Sequence, residues 1–188
     1  MALVPMKFDI PHRGLEWLEY YPRHKAFHCG WDLNTGVGNE DLGDPIFNPV
    51  AGTVEYVSKK PSRANRYNGG FGWFVVVYHE EEGVWSKFAH MKSVSCHKGQ
   101  KVDEGQQLGE VGNTGTRYAH LHWEVWKQSM YDRQKKHWRK FAYYPTRQPK
   151  QFVVDNYLDG LAWVDELSQK KDWKEEIERR LSILEAKY

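Results

Sequence analysis

Apolar and polar positions divide the chain into two regimes. Between residues 50 and 127, four runs rich in β-branched and aromatic side chains predict short strands: Val50–Ser58, Phe71–His79, Val84–Met91 and Ala119–Lys127. Glycine-bearing turn signals separate them, at Asn68-Gly69-Gly70, Glu82-Gly83, Lys98-Gly99, Glu104-Gly105 and Gly112-Asn113-Thr114-Gly115. Closely spaced strands joined by such turns predict antiparallel sheets and hairpins. The strand–helix alternation of a parallel sheet is absent. Near the C-terminus the period changes. Trp173, Ile177, Leu181 and Leu184 recur at helical spacing, and Asp172 followed by Glu175 fits a capping box. The spacing predicts a helix from about Asp172 to Ala186 with one apolar stripe, which must pack on its own domain or on a second chain.

Composition adds bounds to this picture. With 188 residues, 40% hydrophobic and 28% charged, the chain can bury a core and has the length of one domain with a short appendage. Its longest apolar run, Phe71 to Tyr78, falls far short of the roughly 18–20 residues that a membrane helix needs. Cys29 and Cys96 cannot build a disulfide framework. The net charge of +2 is unevenly spread. From Lys127 to Lys150, eight basic residues face the single acid Asp132, a local +7, with Trp138, Phe141, Tyr143 and Tyr144 interleaved. Such a span is read as a solvated connection to the final helix, as an attractor of anionic polymer, or as a single-stranded nucleic-acid surface.

The nine histidines carry the candidate chemistry. In a strand, His120, His122 and Glu124 share one face, and Leu121, Trp123 and Val125 the other. Two imidazoles can then converge on one small site. His28 and Asp32 offer nitrogen and oxygen ligands suited to Zn²⁺, but four extended residues separate them by roughly 13 Å. A bend is required, and Gly30 permits one. His90 ends a predicted strand. Each motif alone is weak. Together they supply three ligands and two further imidazoles, and three protein ligands leave a tetrahedral ion one open position.

In this combination and order the sequence resembles the lysostaphin-type zinc endopeptidases that cut peptidoglycan peptides. The resemblance runs from His28 to Val125. It rests on His28-Cys-Gly-Trp-Asp32-Leu, Gly43-Asp-Pro-Ile46, Asn48-Pro-Val-Ala-Gly-Thr-Val54, Phe88-Ala-His90-Met91, Lys98-Gly-Gln-Lys-Val102, Glu104-Gly-Gln-Gln-Leu-Gly109 and Ala119-His-Leu-His-Trp-Glu124. It implies a mainly β, antiparallel two-sheet peptidase core with a groove, here followed by a C-terminal α-helix. The expected division is a peptidase domain over 1–165, with core motifs over 28–125, and a helical extension over 166–188. The resemblance also implies one Zn²⁺ held by His28, Asp32 and His122, with His90 and His120 as the catalytic pair. The stretch Thr116-Arg-Tyr-Ala119 is shorter than the family's usual loop, so one groove wall is expected to differ.

Other residues receive lesser readings. Cys29 is a rival zinc ligand, but strand alternation turns it away and a buried structural thiol is expected. Tyr21, or Tyr20, precedes His28 closely enough to donate to an oxyanion, although aromatic packing at the domain entrance is the favoured reading. Tyr67 and Asn68 sit on a loop that reads equally as a groove wall with substrate contacts or as a solvated loop. Glu124 is either a partner of the histidines or the mate of a lysine, and His79 is read as structural. The expected partner is a peptidoglycan peptide. Neither membrane insertion nor nucleic acid is expected, and the final helix leaves self-association open. The opening Met-Ala-Leu-Val-Pro-Met-Lys lacks an export pattern. The expectation is a chain made in the cytoplasm that reaches the wall at lysis or on a virion, as an endolysin does, with a chain whose export signal has been removed as the alternative. A non-catalytic wall-binding or regulatory module on the same scaffold is the competing function. A carrier domain would leave the histidines unexplained.

Overall fold

The structure is a computed structural model that describes residues 5, 16–22, 26–59, 70–127 and 150–185. Its elements in chain order are β1 (Tyr20–Tyr21), β2 (Ala26–Phe27), β3 (Trp31–Leu33), β4 (Pro45–Phe47), β5 (Gly52–Ser58), β6 (Trp73–His79), β7 (Val84–Met91), β8 (Ser93–Val94), β9 (Lys101–Val102), β10 (Gln107–Glu110), β11 (Leu121–Trp126), α1 (Lys150–Asn156), β12 (Tyr157–Leu158) and α2 (Gly160–Glu185). All four predicted strands are present, and the longest, Val84–Met91, has the predicted bounds. No described helix is long and apolar enough to cross a membrane.

The large sheet runs β12-β11-β7-β6-β5-β9. Strand β11, which carries His122 and Glu124, lies between β12 and β7. One edge pairs with β7 along its length, while the other pairs with β3 over its first half and with β12 over its second. A smaller sheet, β4-β10-β8, lies apart from it. Alternation along β11 sorts the side chains. Leu121, Trp123 and Val125 enter the core that also holds Ile46 and Leu108 of the smaller sheet and Trp163 and Val164 of α2. The opposite face of the large sheet buries Phe74, Val76, Trp85, Ala89 and Trp126, covered in part by Val153 of α1. His122 and Glu124 lie on this second face.

The C-terminal helix differs from the periodicity reading. It begins at Gly160 rather than near Asp172, and Asp159 caps it, its Oδ1 accepting the N–H groups of Leu161 and Ala162 at 3.1 and 3.4 Å. Asp172 is a mid-helix residue, so no capping box forms there. The face that packs is Leu161, Trp163, Val164 and Leu167. Trp173, Ile177 and Leu181 of the stripe read from the sequence are exposed instead, with Trp173 at 71% and Leu181 at 53%. One helix thus runs continuously through residues 165 and 166.

Candidate metal centre

Strand register assembles the site. His122 lies directly opposite Asp32 across the β11–β3 ladder, so both side chains project from the same face. Their atoms meet, with His122 Nδ1 2.8 Å from Asp32 Oδ1. Continuing β3 backwards would carry His28 away from them, and Gly30 prevents this. A Cβ there would overlap the Trp123 carbonyl and press on the Glu124 side chain, so only glycine lets the chain bend this closely over β11. His28 Nε2 then stands 3.1 Å from His122 Nδ1 and 3.3 Å from Asp32 Oδ1.

The protons on these rings follow from their other contacts. His28 Nδ1 lies 3.1 Å from the Glu16 carbonyl and must donate to it. His122 Nε2 lies 2.8 Å from Glu124 Oε1 and must donate to that carboxylate. In the unprotonated form that a metal requires, the rings would present lone pairs at His28 Nε2 and His122 Nδ1, against the lone pairs of Asp32 Oδ1. Three acceptors facing one another in a buried corner repel unless a cation stands among them. A tetrahedral zinc with bonds of about 2.0–2.2 Å sets its ligands roughly 3.3 Å apart, close to the spacing seen. Among the described residues, this is the one group of three His, Cys, Asp or Glu side chains close enough to hold a metal.

The electrostatics agree with that need. Burial opposes a charge on Asp32, but His28 and His120, with the bonds from His122 and His28, hold its carboxyl well below the usual range. Burial likewise opposes a charge on His122, yet its bonds to Asp32 and Glu124 outweigh this and push it up to about 9. Without a metal, a proton at Nδ1 takes the cation's place.

His90 reaches the site through a β-bulge. Trp73 pairs with Met91 and Val75 with Phe88, so Ala89 and His90 together oppose Phe74 alone. Regular alternation would return His90 to the Phe88 face. The bulge, with His90 at φ 64°, keeps it beside Ala89 on the functional face, and both Phe88 and Met91 enter the other core. A non-glycine residue in this region costs roughly 1–2 kcal/mol. The Thr114 carbonyl, 3.0 Å away, fixes His90 Nδ1 as a donor and leaves Nε2 as an acceptor. His120 Nδ1 donates in the same way to the Tyr118 carbonyl at 3.0 Å. The two rings lie 4.6 Å apart, and His120 Nε2 is 3.7 Å from Asp32 Oδ1. Burial, then His120 and His122, hold His90 well below the ordinary histidine range, so it is neutral at physiological pH.

All five residues implied by the resemblance are thus brought together. Cys29 is not: it is buried among Phe74, Trp85 and Trp126, and burial pushes its thiol up, away from the thiolate a metal needs. His79 is buried on the far side, between the Ala51 carbonyl and the Ser86 hydroxyl. Tyr67, Asn68 and residues 128–149 lie outside the described residues, as does the side chain of Tyr21. Tyr20 is half exposed against Phe27, in the hairpin that leads into His28. The two sequence readings of Glu124 are both realised, since it accepts from His122 and from Lys87 Nζ at 2.9 Å. Lys87 and Thr114 were not anticipated as supports of the site. The first looked like any strand lysine, and the second was visible only as part of a turn.

The sequence profile of Peptidase family M23 matches residues 26–135. Over 103 residues the chain is 33% identical to Lipoprotein NlpD/LppB homolog of Pseudomonas aeruginosa, covering 54% of this chain and 32% of that protein. Over 85 residues it is 31% identical to Peptidoglycan DD-endopeptidase ShyA of Vibrio cholerae, covering 45% of this chain and 18% of that protein. The chain therefore matches no more than about a third of the length of either relative. Among solved structures, the catalytic domain of lysostaphin from Staphylococcus simulans shares the fold at a TM-score of 0.53 and 14% identity, covering 82% of this chain and 90% of that one. A mutant catalytic domain of the prophage-encoded M23 protein EnpA from Enterococcus faecalis does so at 0.50 and 24%, covering 65% and 85%. With its mainly β, two-sheet architecture, its converging His28, Asp32 and His122, and a profile match over more than half its length, the chain belongs to peptidase family M23.

Proposed function

We propose that this protein is a zinc-dependent endopeptidase that hydrolyses peptide bonds in bacterial peptidoglycan. The observation that carries the reading is the triangle of lone pairs at His28 Nε2, Asp32 Oδ1 and His122 Nδ1, with two further acceptor imidazoles beside it. The substrate class is supported by the relative named as a peptidoglycan endopeptidase. A bound zinc would supply Lewis acidity, acidifying water and polarising a carbonyl.

The chain's own residues would do the rest. His28, Asp32 and His122 occupy three directions and leave the side toward His120 and His90 for water and substrate. Asp32 and His120 are the more exposed members, with side chains at 14% and 16%, so substrate enters from their side. Nε2 of His90 or His120 accepts the proton of a water whose oxygen attacks the peptide carbonyl carbon. The resulting imidazolium returns that proton to the departing amine as the C–N bond breaks, leaving a free acid and a free amine. A ring pinned at Nδ1 by a backbone carbonyl suits this task, because only Nε2 is available for proton transfer.

The test is digestion of purified cell walls bearing different cross-bridges, with and without a chelator, with products read by mass spectrometry. New amine termini at one linkage, lost on chelation and restored by zinc, are the expected result. His122→Ala should lose both metal and hydrolysis, whereas His120→Ala should keep the metal and lose most turnover. Zinc-loaded protein that leaves every wall uncut would favour the non-catalytic module instead. Near-native turnover in His120→Ala would remove its assigned role.

A further inference from the structure

Lys87 stands in the middle of β7 at 2% exposure, an unusual place for an ammonium group. Its register partner across the β11–β7 ladder is Glu124, also 2% exposed. Replacing a buried ion pair by apolar residues is often neutral or stabilising, so stability alone does not explain this one. The contacts of Glu124 suggest what does. Its Oε2 accepts from Lys87 Nζ at 2.9 Å and from Trp126 Nε1 at 2.7 Å, and its Oε1 is left to accept from His122 Nε2 at 2.8 Å. The carboxylate is spent on holding one imidazole nitrogen.

We propose that Lys87 is a positioning residue of the metal site: it neutralises Glu124 so that this carboxylate fixes His122 with Nδ1 turned toward the ion. The inference rests on the reading of His122 as a metal ligand and extends it to a residue two side chains away. A second contact acts in the same direction. Lys87 Nζ sits 3.1 Å from the centroid of the Phe71 ring, and that ring lies 5.4 Å from His122 and 6.5 Å from His90. The ammonium thus fixes both the partner of His122 and the aromatic wall behind two of the site's imidazoles. Without it, Glu124 Oε2 keeps only the Trp126 Nε1 donor and the carboxylate loses its counter-charge. The carboxylate is then free to turn away, and that change releases His122 Nε2.

The experiment is a double-mutant cycle on zinc affinity, measured by competition with a chromophoric chelator, in the full chain and in Lys87→Met, Glu124→Gln and the double variant. Loss of such an outer partner typically weakens metal binding 10–100-fold, and that is the loss expected for Lys87→Met. In the Glu124→Gln background the same substitution should cost less than about 3-fold, because its effect travels through the carboxylate. An equal loss in both backgrounds, or a folded Lys87→Met with wild-type affinity, overturns the proposal. Should Lys87→Met fail to fold, nitrogen-15 shifts of His122 in the zinc-loaded wild type decide instead: a proton on Nε2 supports the proposal and a proton on Nδ1 sinks it. Wild-type protein that binds no zinc ends the metal-site reading and this inference with it. Normal zinc binding unaffected by Lys87→Met ends this inference alone.

Discussion

Replacing Gly72 by alanine tests whether a backbone contact remote from the proposed metal ligands sets the proposed catalytic geometry. Gly72 has φ 60°, and a Cβ there would overlap the carbonyl of Thr114. That carbonyl is the acceptor that pins His90 Nδ1 at 3.0 Å. Two costs follow. The left-handed backbone alone costs an alanine roughly 1–2 kcal/mol. Relief of the overlap requires the Thr114 carbonyl to retreat by about 1 Å, as ordinary carbon–oxygen contact demands. A hydrogen bond stretched from 3.0 Å by that amount is broken, and His90 loses both its fixed tautomer and its place beside His120. Misplacement of a reacting group by about 1 Å can cost 10²-fold in rate. Gly72→Ala should therefore lower kcat on purified walls by about two orders of magnitude. Zinc stoichiometry should be unchanged, because the hydrogen bonds that orient His28, Asp32 and His122 run to Glu16, Glu124 and one another. The assay pairs release of amine termini with metal content by atomic absorption. A folded Gly72→Ala with wild-type kcat, or one that loses its zinc, would refute the reasoning.

Other outcomes are equally specific. Burial pushes His79 down to about 4 from 6.5, so the unfolded chain holds the extra proton between those values. Stability falls as pH drops through that window, by about 3 kcal/mol in full at 1.36 per unit. Urea unfolding of metal-free wild type and His79→Gln should show the gap between them closing in the wild type's disfavour as pH falls from 6.5 to 4, and a gap that does not change with pH excludes this cause. Asp159→Ala removes the α2 cap and the 2.8 Å acceptor of Trp31 Nε1, the residue before Asp32, and should cost roughly 2 kcal/mol in urea unfolding. Cys29 and Cys96 are buried, with thiols pushed up by burial. An aromatic disulfide reagent should label them only on unfolding, and Cys29→Ala should retain one zinc; loss of metal in that variant would restore Cys29 as a ligand.

The strands were legible because β-branched and aromatic runs bounded by glycine turns have few other solutions, and Val84–Met91 is the clearest case. The C-terminal helix was legible in kind and not in extent. Its start is set by Asp159 and by Trp163 and Val164 packing on the core. That segment carries only about two turns of apolar residues, too few for its period to stand out, whereas the exposed Trp173–Leu181 stripe has a strong period and buries little. His79 shows the same limit, because nothing around it in the sequence discloses that both ring nitrogens are satisfied.

The sequence by itself determined the inventory. It fixed which residues alternate onto the face of His120, His122 and Glu124, that Gly30 had to allow a bend, and that His28, Asp32 and His90 came in the order of a known peptidase family. Only the tertiary structure decided how these meet. Cross-strand register put Asp32 opposite His122, a bulge turned His90 against its expected alternation, and burial made Lys87 the counter-charge of Glu124. Local propensity acts between neighbours along the chain, while register, bulge and burial arise between segments about 15 to 90 residues apart, from the bulge opposite Phe74 to the His122–Asp32 pair.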